Sequence, residues 1–267
     1  MSANTFNLLF VGDIVGSSGR EAISRELETV RKEFDVHFVV MNAENAAHGF
    51  GLTPAITRDL FEFGADVLTG GNHTFDKRDV QEVFRDYPDR VLRPANYPEG
   101  TPGRGGTVVK AQDGTEVGVI NLMGRVFMDP LDCPFRAFDR EFINLKNKAP
   151  NAKIFLLDVH AEATSEKYAL GYHADGRATA FVGSHTHVQT ADEAIFAKGM
   201  GYLTDAGMTG PLDSIIGMKK EIILQRFIEK RPIRMEVADG RGVFQGVVYK
   251  FNRETGSCLE VHRVRRT

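Results

Sequence analysis

The residues best suited to chemistry in this sequence stand where apolar runs end. Gly183-Ser184-His185-Thr186-His187 follows the run 178–182, so two imidazoles leave a buried strand one residue apart and can turn toward one point. Imidazole is the commonest protein ligand for borderline divalent metals, and the carboxyl end of a strand is where an open α/β sheet collects its ligands. A single His-x-His among eight histidines is a weak signal. Four further junctions repeat the pattern: Asp13 after the run 6–11, Glu44-Asn45 after 36–41, Asn72-His73 after 66–69, and His160 after 153–157. A carboxylate at the end of a buried strand needs a partner or a cation. Strand ends that deliver oxygen and imidazole donors together point to a metal centre on one edge of a sheet. Two divalent ions there would carry more positive charge than Asp13 and Glu44 offset, and the surplus can attract a phosphate and hold a hydroxide.

These donors need a frame of strands and helices, and the apolar pattern supplies one. After the first strand, Ile23, Leu27, Val30 and Phe34 make a helical stripe while Arg25, Glu28 and Arg31 face water. Gly16 and Gly19 fit neither the dinucleotide fingerprint nor the P-loop, and they read as turn residues. Thr53-Pro54 is an N-cap followed by proline at N1, with Ile56, Leu60 and Phe63 on one face and Gly64 as the stop. Gly70-Gly71 let the backbone come close to whatever Asn72 and His73 face. From 87 to 125 the pattern changes to short strands and turns, with a hairpin over 107–121 that begins a second, partly antiparallel sheet. Helices are expected near 139–148, 165–170 and 218–228, a strand and loop from 201, and a last hairpin through Val243, Val247, Tyr249, Val261 and Val264.

Composition narrows the function classes. The chain has 267 residues, 42% hydrophobic and 26% charged, which suits a globular protein of one domain. A formal charge of -3 and a pI near 6.3 exclude a surface built to hold long or duplex nucleic acid, though a single nucleotide could bind locally. Cys133 and Cys258 are too few for a disulfide framework and lie in no metal pattern, as expected of reduced thiols in a cytoplasmic protein. The first residues carry no basic leader, and the run 8–11 is cut by Gly12-Asp13, so it reads as a strand rather than a signal peptide or membrane span. His48 could line a pocket or simply sit in a solvated loop. His37, His173 and His262 have no motif around them and read as structural or surface residues.

Taken in order, the motifs resemble those of the calcineurin-like metallophosphoesterases, which run Asp-x-His, Gly-Asp-x-x-Asp, Gly-Asn-His, a lone His and Gly-His-x-His. Two departures mark a branch: Val15 stands where the first motif has histidine, and Glu44 where the bridging aspartate stands. With Gly12-Asp-Ile-Val-Gly16, Asn42-Ala-Glu-Asn45, Gly71-Asn-His-Thr-Phe-Asp76 and Ser184-His-Thr-His-Val-Gln-Thr-Ala-Asp192, the sequence resembles the bacterial YmdB-type branch over essentially its whole length.

That resemblance implies a single metallophosphoesterase domain over 1–267, an α/β/β/α sandwich of two mixed sheets flanked by helices. It implies a phosphodiesterase acting on 2′,3′-cyclic nucleotides through a dinuclear centre of iron or manganese, with zinc also compatible. Asp13, Asn45 and His187 would hold the first ion and Asn72, His160 and His185 the second, with Glu44 bridging and Asn45 offsetting the histidine missing at Val15. A bridge suits a carboxylate, which has two oxygens to share, whereas the Asn72 amide oxygen ligates without adding charge. A bridging hydroxide would attack phosphorus in line with the leaving oxygen. His73, beside a ligand but outside the set, is placed to protonate the leaving alkoxide or to neutralise charge on the phosphoryl oxygens. Alternatives are a phosphomonoesterase or 5′-nucleotidase built on the same centre, and a regulatory protein that uses it to sense a nucleotide. The expected partner is a small phosphoester, a nucleotide; no membrane partner is expected, and self-association into a homo-oligomer is left open.

Overall fold

The computed structural model describes residues 4–267, so Met1, Ser2 and Ala3 of the expected leaderless start lie outside the described residues. In chain order, β1 (Thr5–Val11) and β2 (Asp13–Ile14) lead into α1 (Gly16–Glu33), followed by β3 (Phe38–Asn42), α2 (Pro54–Phe63), β4 (Val67–Thr69) and α3 (Val80–Asp86). The hairpin of β5 (Gly106–Lys110) and β6 (Glu116–Met123) precedes α4 (Pro134–Lys148), β7 (Ile154–His160), α5 (Thr164–Ala174) and β8 (Ala180–Ser184). Then come β9 (Ala194–Ile195), β10 (Gly201–Leu203), β11 (Met208–Pro211), α6 (Lys220–Glu229) and the closing hairpin of β12 (Gly242–Asn252) and β13 (Cys258–Arg266).

These elements form two mixed sheets. The first runs β2-β11-β12-β1-β3-β4, with β13 on β12, and the second runs β5-β6-β7-β8-β10-β9. The sheets face each other through Phe6, Leu8, Phe10 and Val40 of one and Val119, Leu156 and Val182 of the other. The Tyr249 hydroxyl crosses this layer to donate to the Phe181 carbonyl at 2.6 Å. On the outer face of the first sheet, Leu9 and Val11 meet Ile23, Leu27 and Val30 of α1 and Leu60 of α2. On the outer face of the second, Leu157 and Val159 meet Phe138 and Leu145 of α4 and Leu170 of α5. Strands buried on both faces read as unbroken apolar runs, which is why β1, β3 and β7 were legible. The expected α/β/β/α sandwich is the fold observed.

Boundaries moved where side chains outside the local pattern took part in packing. The first helix begins at Gly16 rather than after Gly19, and Gly19 acts as a close-approach residue rather than a turn. A Cβ there would lie 2.2 Å from the Thr209 carbonyl oxygen of β11. Strand β7 runs on through Asp158 to His160, because its polar side chains find partners inside the fold. The short pairs β2 and β11 and the seven-residue α3 were not anticipated, although Val80, Val83 and Phe84 of α3 are buried at helical spacing. Helix α4 starts earlier than expected, with Pro134 at its first position. Thr53 caps α2 as read, its side chain accepting from the Ile56 N–H at 3.4 Å, and Gly64 ends it at φ 112°. Among the described residues no helix is long and apolar enough to cross a membrane.

Candidate metal centre

Parallel pairing brings the strand ends into one place. Met41 of β3 pairs with Val11 of β1, Asn42 with Thr69 of β4, and Ser184 of β8 with His160 of β7, so the loops that follow all leave on the same edge. A polar contact joins the two sheets there: Asn42 Nδ2 of the first lies 3.4 Å from Asp158 Oδ2 of the second, and Asn121 Nδ2, in the same sheet as Asp158, reaches that oxygen at 3.2 Å.

His160 is the centre of the cluster and is fully buried. Its Nδ1 lies 3.1 Å from Ser184 Oγ, which itself donates to Asp158 Oδ1 at 2.9 Å and so must accept from the ring. With Nδ1–H engaged, the neutral ring turns the Nε2 lone pair outward. That atom faces Asn72 Oδ1 at 2.9 Å, Glu44 Oε1 at 3.1 Å and His185 Nδ1 at 3.1 Å. Four acceptor atoms converge with no donor among them. A proton on Nε2 can satisfy one contact well, whereas a divalent cation satisfies them all, so the donor set fits a metal.

The carboxylates tell the same story. Glu44 is buried and accepts the His73 N–H at 3.0 Å through Oε2. Burial pushes its carboxyl up, but His160 beside it outweighs this and holds it near 2. Burial pulls the His160 imidazole down, and Glu44 and Asp13 reverse that to about 9, so without a metal Nε2 takes up a proton, and the neutral ring with its lone pair is the form a cation would bind in that proton's place. His185, by contrast, falls to about 3 through its own burial and the neighbouring His160 charge. Asp13 is buried, takes the His185 N–H on Oδ2 at 3.0 Å and has no hydrogen-bond partner on Oδ1 among the described residues; burial raises its pKa. The Asn45 amide is similar: its Nδ2 donates to the Gly49 carbonyl at 2.9 Å, and its Oδ1 is buried and unpaired. Two orphaned buried oxygens are what absent ligand bonds would leave. Gly71 completes the cradle, because a Cβ there would lie 2.2 Å from Glu44 Oε2 and 2.5 Å from His160.

The structure thus gathers Asp13, Glu44, Asn72 and His185 around His160. Among the described residues, Glu44, His160 and His185 offer ligand atoms within 4.8 Å of one another. Asn45 and His187 border the same cavity as Glu44, His73 and His185. The His187 Nδ1 is engaged by the Ile216 carbonyl at 2.8 Å, leaving Nε2 for a ligand. His73 stands outside the cluster, its Nδ1 2.8 Å from Asp76 Oδ2 and its ring edge-on to Phe50 at 5.0 Å. His48 is exposed and lies on a neighbouring cavity. His37, His173 and His262 have the structural roles expected, against Phe6, Asp139 and Glu260.

Reading the sequence missed the supports beneath the ligands. Lys167 and Asp205 are fully buried, 2.8 Å apart. Lys167 Nζ donates to the Ser184 carbonyl at 2.9 Å, and Asp205 Oδ2 accepts from the Thr186 N–H and hydroxyl at 3.2 and 2.8 Å. The pair clamps the turn from both sides, and His185 and His187 both hold left-handed backbone there, at φ 98° and 64°. Non-glycine residues adopt that region at a cost, so the clamp has strain to oppose. No local pattern links two residues 38 apart in sequence. Asp158 did leave a signal: it lies two residues before His160 and so on the same strand face. Burial raises its carboxyl to about 7.

The sequence model of the YmdB-like protein family matches residues 9–264. The chain belongs to that family. The resemblance read from the motifs is therefore borne out. A 2′,3′-cyclic-nucleotide 2′-phosphodiesterase of Bacillus subtilis is 48% identical over 257 residues, 96% of each chain. Among solved structures, a Thermus thermophilus protein described as hypothetical superposes with a TM-score of 0.89 at 40% identity, covering 98% of this chain and 99% of its own. A Mycoplasma pneumoniae protein described as a novel phosphatase gives a TM-score of 0.90 at 30% identity, covering 98% and 94%.

Proposed function

We propose that this protein is a metal-dependent phosphodiesterase that hydrolyses 2′,3′-cyclic nucleotides, the chain 1–267 acting as one metallophosphoesterase domain. The observation that carries the reading is the His160 Nε2 lone pair facing three further acceptors, in a chain 48% identical to a relative named for that activity. Two divalent ions are assigned, iron or manganese in keeping with mixed nitrogen and oxygen donors and zinc compatible as well. Asp13, Asn45 and His187 would hold one, Asn72, His160 and His185 the other, with Glu44 shared. When bound, such a pair supplies Lewis-acid stabilisation of the phosphoryl oxygens and makes hydroxide available near neutral pH.

The protein's own residues do the rest. Ser184, Asp158 and the Lys167–Asp205 clamp fix the tautomer and direction of the imidazoles, as outer partners of metal ligands do. His73 has Nδ1 braced by Asp76, so its Nε2 is free to deliver a proton to the leaving ribose oxygen, and the carboxylate stabilises the charged ring that gives it up. The substrate is a small nucleotide, received in the cavity of about 750 Å³ that Glu44, Asn45, His73, His185 and His187 border. Purified protein reconstituted with manganese or iron is expected to turn over 2′,3′-cAMP and bis-p-nitrophenyl phosphate faster than p-nitrophenyl phosphate. Preference for the monoester would replace this reading with a phosphomonoesterase, and metal-loaded protein inert on all three would leave nucleotide sensing.

A further inference from the structure

The metal centre borders the first of two adjoining chambers that together offer more room than a cyclic mononucleotide requires. The chamber above it, about 750 Å³, is walled by Phe50, Ile215, Ile216, Met218 and Phe227. A second chamber of about 790 Å³ shares Phe50, Arg226 and Met235 with the first, so the two adjoin and Arg226 stands at their border. Either alone has the size of an ordinary small-molecule site, roughly 300–1,000 Å³; together they exceed one.

The charges along this groove are unspent. Arg226 and Lys230 border the first chamber and Lys77 the second, and none of these side chains has an ion-pair or hydrogen-bond partner among the described residues. Apart from Glu44 at the metal end, no carboxylate among the described residues borders the first chamber. Of the two in the second, Glu236 is paired with Lys219 at 2.7 Å and Asp239 lies in the field of the same lysine. The metal centre takes the reacting phosphate, so these cations are left for a different anion. An apolar chamber for a base followed by a cation for a phosphate is the alternation of a nucleic-acid single strand.

Resting on the phosphodiesterase reading, we propose that the groove binds the 5′-ward continuation of an RNA end that terminates in a 2′,3′-cyclic phosphate. The terminal base lies in the first chamber and the phosphate on its 5′ side meets Arg226, with the next nucleoside in the second chamber. The chain's net charge of -3 is compatible with this, because the cations are local to one groove and recognise a short end rather than a long polymer.

Steady-state kinetics on 2′,3′-cAMP, its 5′-phosphorylated form and the dinucleotide ApA 2′,3′-cyclic phosphate test this with manganese-loaded wild type and Arg226→Met. In the wild type the dinucleotide should exceed 2′,3′-cAMP in kcat/KM by about tenfold, the worth of one charge-assisted contact, mainly through KM. The advantage should shrink as salt rises from 0.1 to 1 M. Arg226→Met should erase most of it. A 5′-phosphorylated mononucleotide that matches the dinucleotide places recognition in the phosphate alone, and one that falls short gives the second chamber its nucleoside. Equal kcat/KM for 2′,3′-cAMP and the dinucleotide in the wild type would overturn the proposal. So would an equal loss on both in Arg226→Met, the result expected if Arg226 only complements the carboxyl-terminal dipole of α6. Failure to hydrolyse any of the three would instead strike the phosphodiesterase reading itself.

Discussion

Two histidine–carboxylate clusters in this molecule share their residue types and differ in everything else. At the surface, His173 Nε2 meets Asp139 Oδ1 at 2.8 Å, and Arg177 bonds the same oxygen at 2.5 Å, with the side chains of all three about a third or more exposed. The carboxylate there has donors on it, and the partly exposed side chains leave the remainder to water. At the strand ends, His160 is fully buried and its Nε2 faces two oxygens and a nitrogen, while Asp13 and Asn45 each keep a buried oxygen with no hydrogen-bond partner among the described residues. Acceptors there outnumber donors, and the central atoms are shielded from bulk solvent. An excess of buried acceptors, more than the presence of histidine and carboxylate, is what distinguishes a place for a cation from an ion pair.

The comparison breaks most visibly at Glu44. Replacing it by Gln keeps the shape and removes the charge shared between the two assigned ions. Glu44→Gln is therefore expected to lower affinity for both by more than the 10- to 100-fold, roughly, that loss of an outer partner produces. Asp13→Asn should weaken mainly one. Metal content of the two variants decides this, and equal single-ion losses would show that Glu44 does not bridge.

Next in size is His73, which belongs to the site without belonging to the buried cluster. His73→Ala should retain metal and lower kcat by roughly 10²- to 10⁴-fold. The loss should be greater on 2′,3′-cAMP than on bis-p-nitrophenyl phosphate, because a nitrophenolate departs without a proton. Equal losses with metal intact would leave charge stabilisation as its role, and loss of metal would make it a ligand.

The Lys167–Asp205 clamp sharpens the contrast within the interior, since it is as buried as the cluster yet balanced. Removing one partner of a buried pair leaves the other charge stranded, so Lys167→Met should cost about 3–5 kcal/mol in denaturant unfolding. Lys167→Met combined with Asp205→Asn should recover part of that stability while metal affinity stays reduced, because the histidine turn has lost its clamp. Full recovery of both would make the pair structural only.

The surface cluster should give the smallest effect. Asp139→Asn is expected to cost less than about 1 kcal/mol and leave metal content unchanged. Although its slight burial opposes this, hydrogen bonds from Arg177 and His173 hold the Asp139 carboxyl below the ordinary 3.8. Its small contribution is thus present above the unfolded pKa and fades as the pH falls through the lower folded one. Wild type and Asp139→Asn should therefore converge in stability under acid, as thermal melts from pH 6 to 2 can show.

What the sequence made legible followed from burial. The strands β1, β3, β4, β7 and β8 are buried on both faces, so their runs, and hence the ends carrying Asp13, Glu44, Asn72, His160 and His185, could be placed by inspection. The helical stripes of α1 and α2, with the Thr53 cap and Gly64 stop, were readable for the same reason. Elements set by distant partners were not: β2 exists because Met208 and Thr209 lie beside it, and α3 is too short for periodicity to show. The deeper omission was electrostatic. Lys167 and Asp205 meet only after α5 has folded onto the second sheet, and a buried lysine in the sequence looks like any exposed one.

The central claim is that the excess of acceptors at the strand ends exists to hold a pair of metal ions, and elemental analysis of the chain addresses it most directly. Protein purified without chelator and reconstituted with manganese or iron should carry two ions per chain, with His173→Ala unchanged and Glu44→Gln depleted. No more than one ion in the wild type, or full loading of Glu44→Gln, would contradict it.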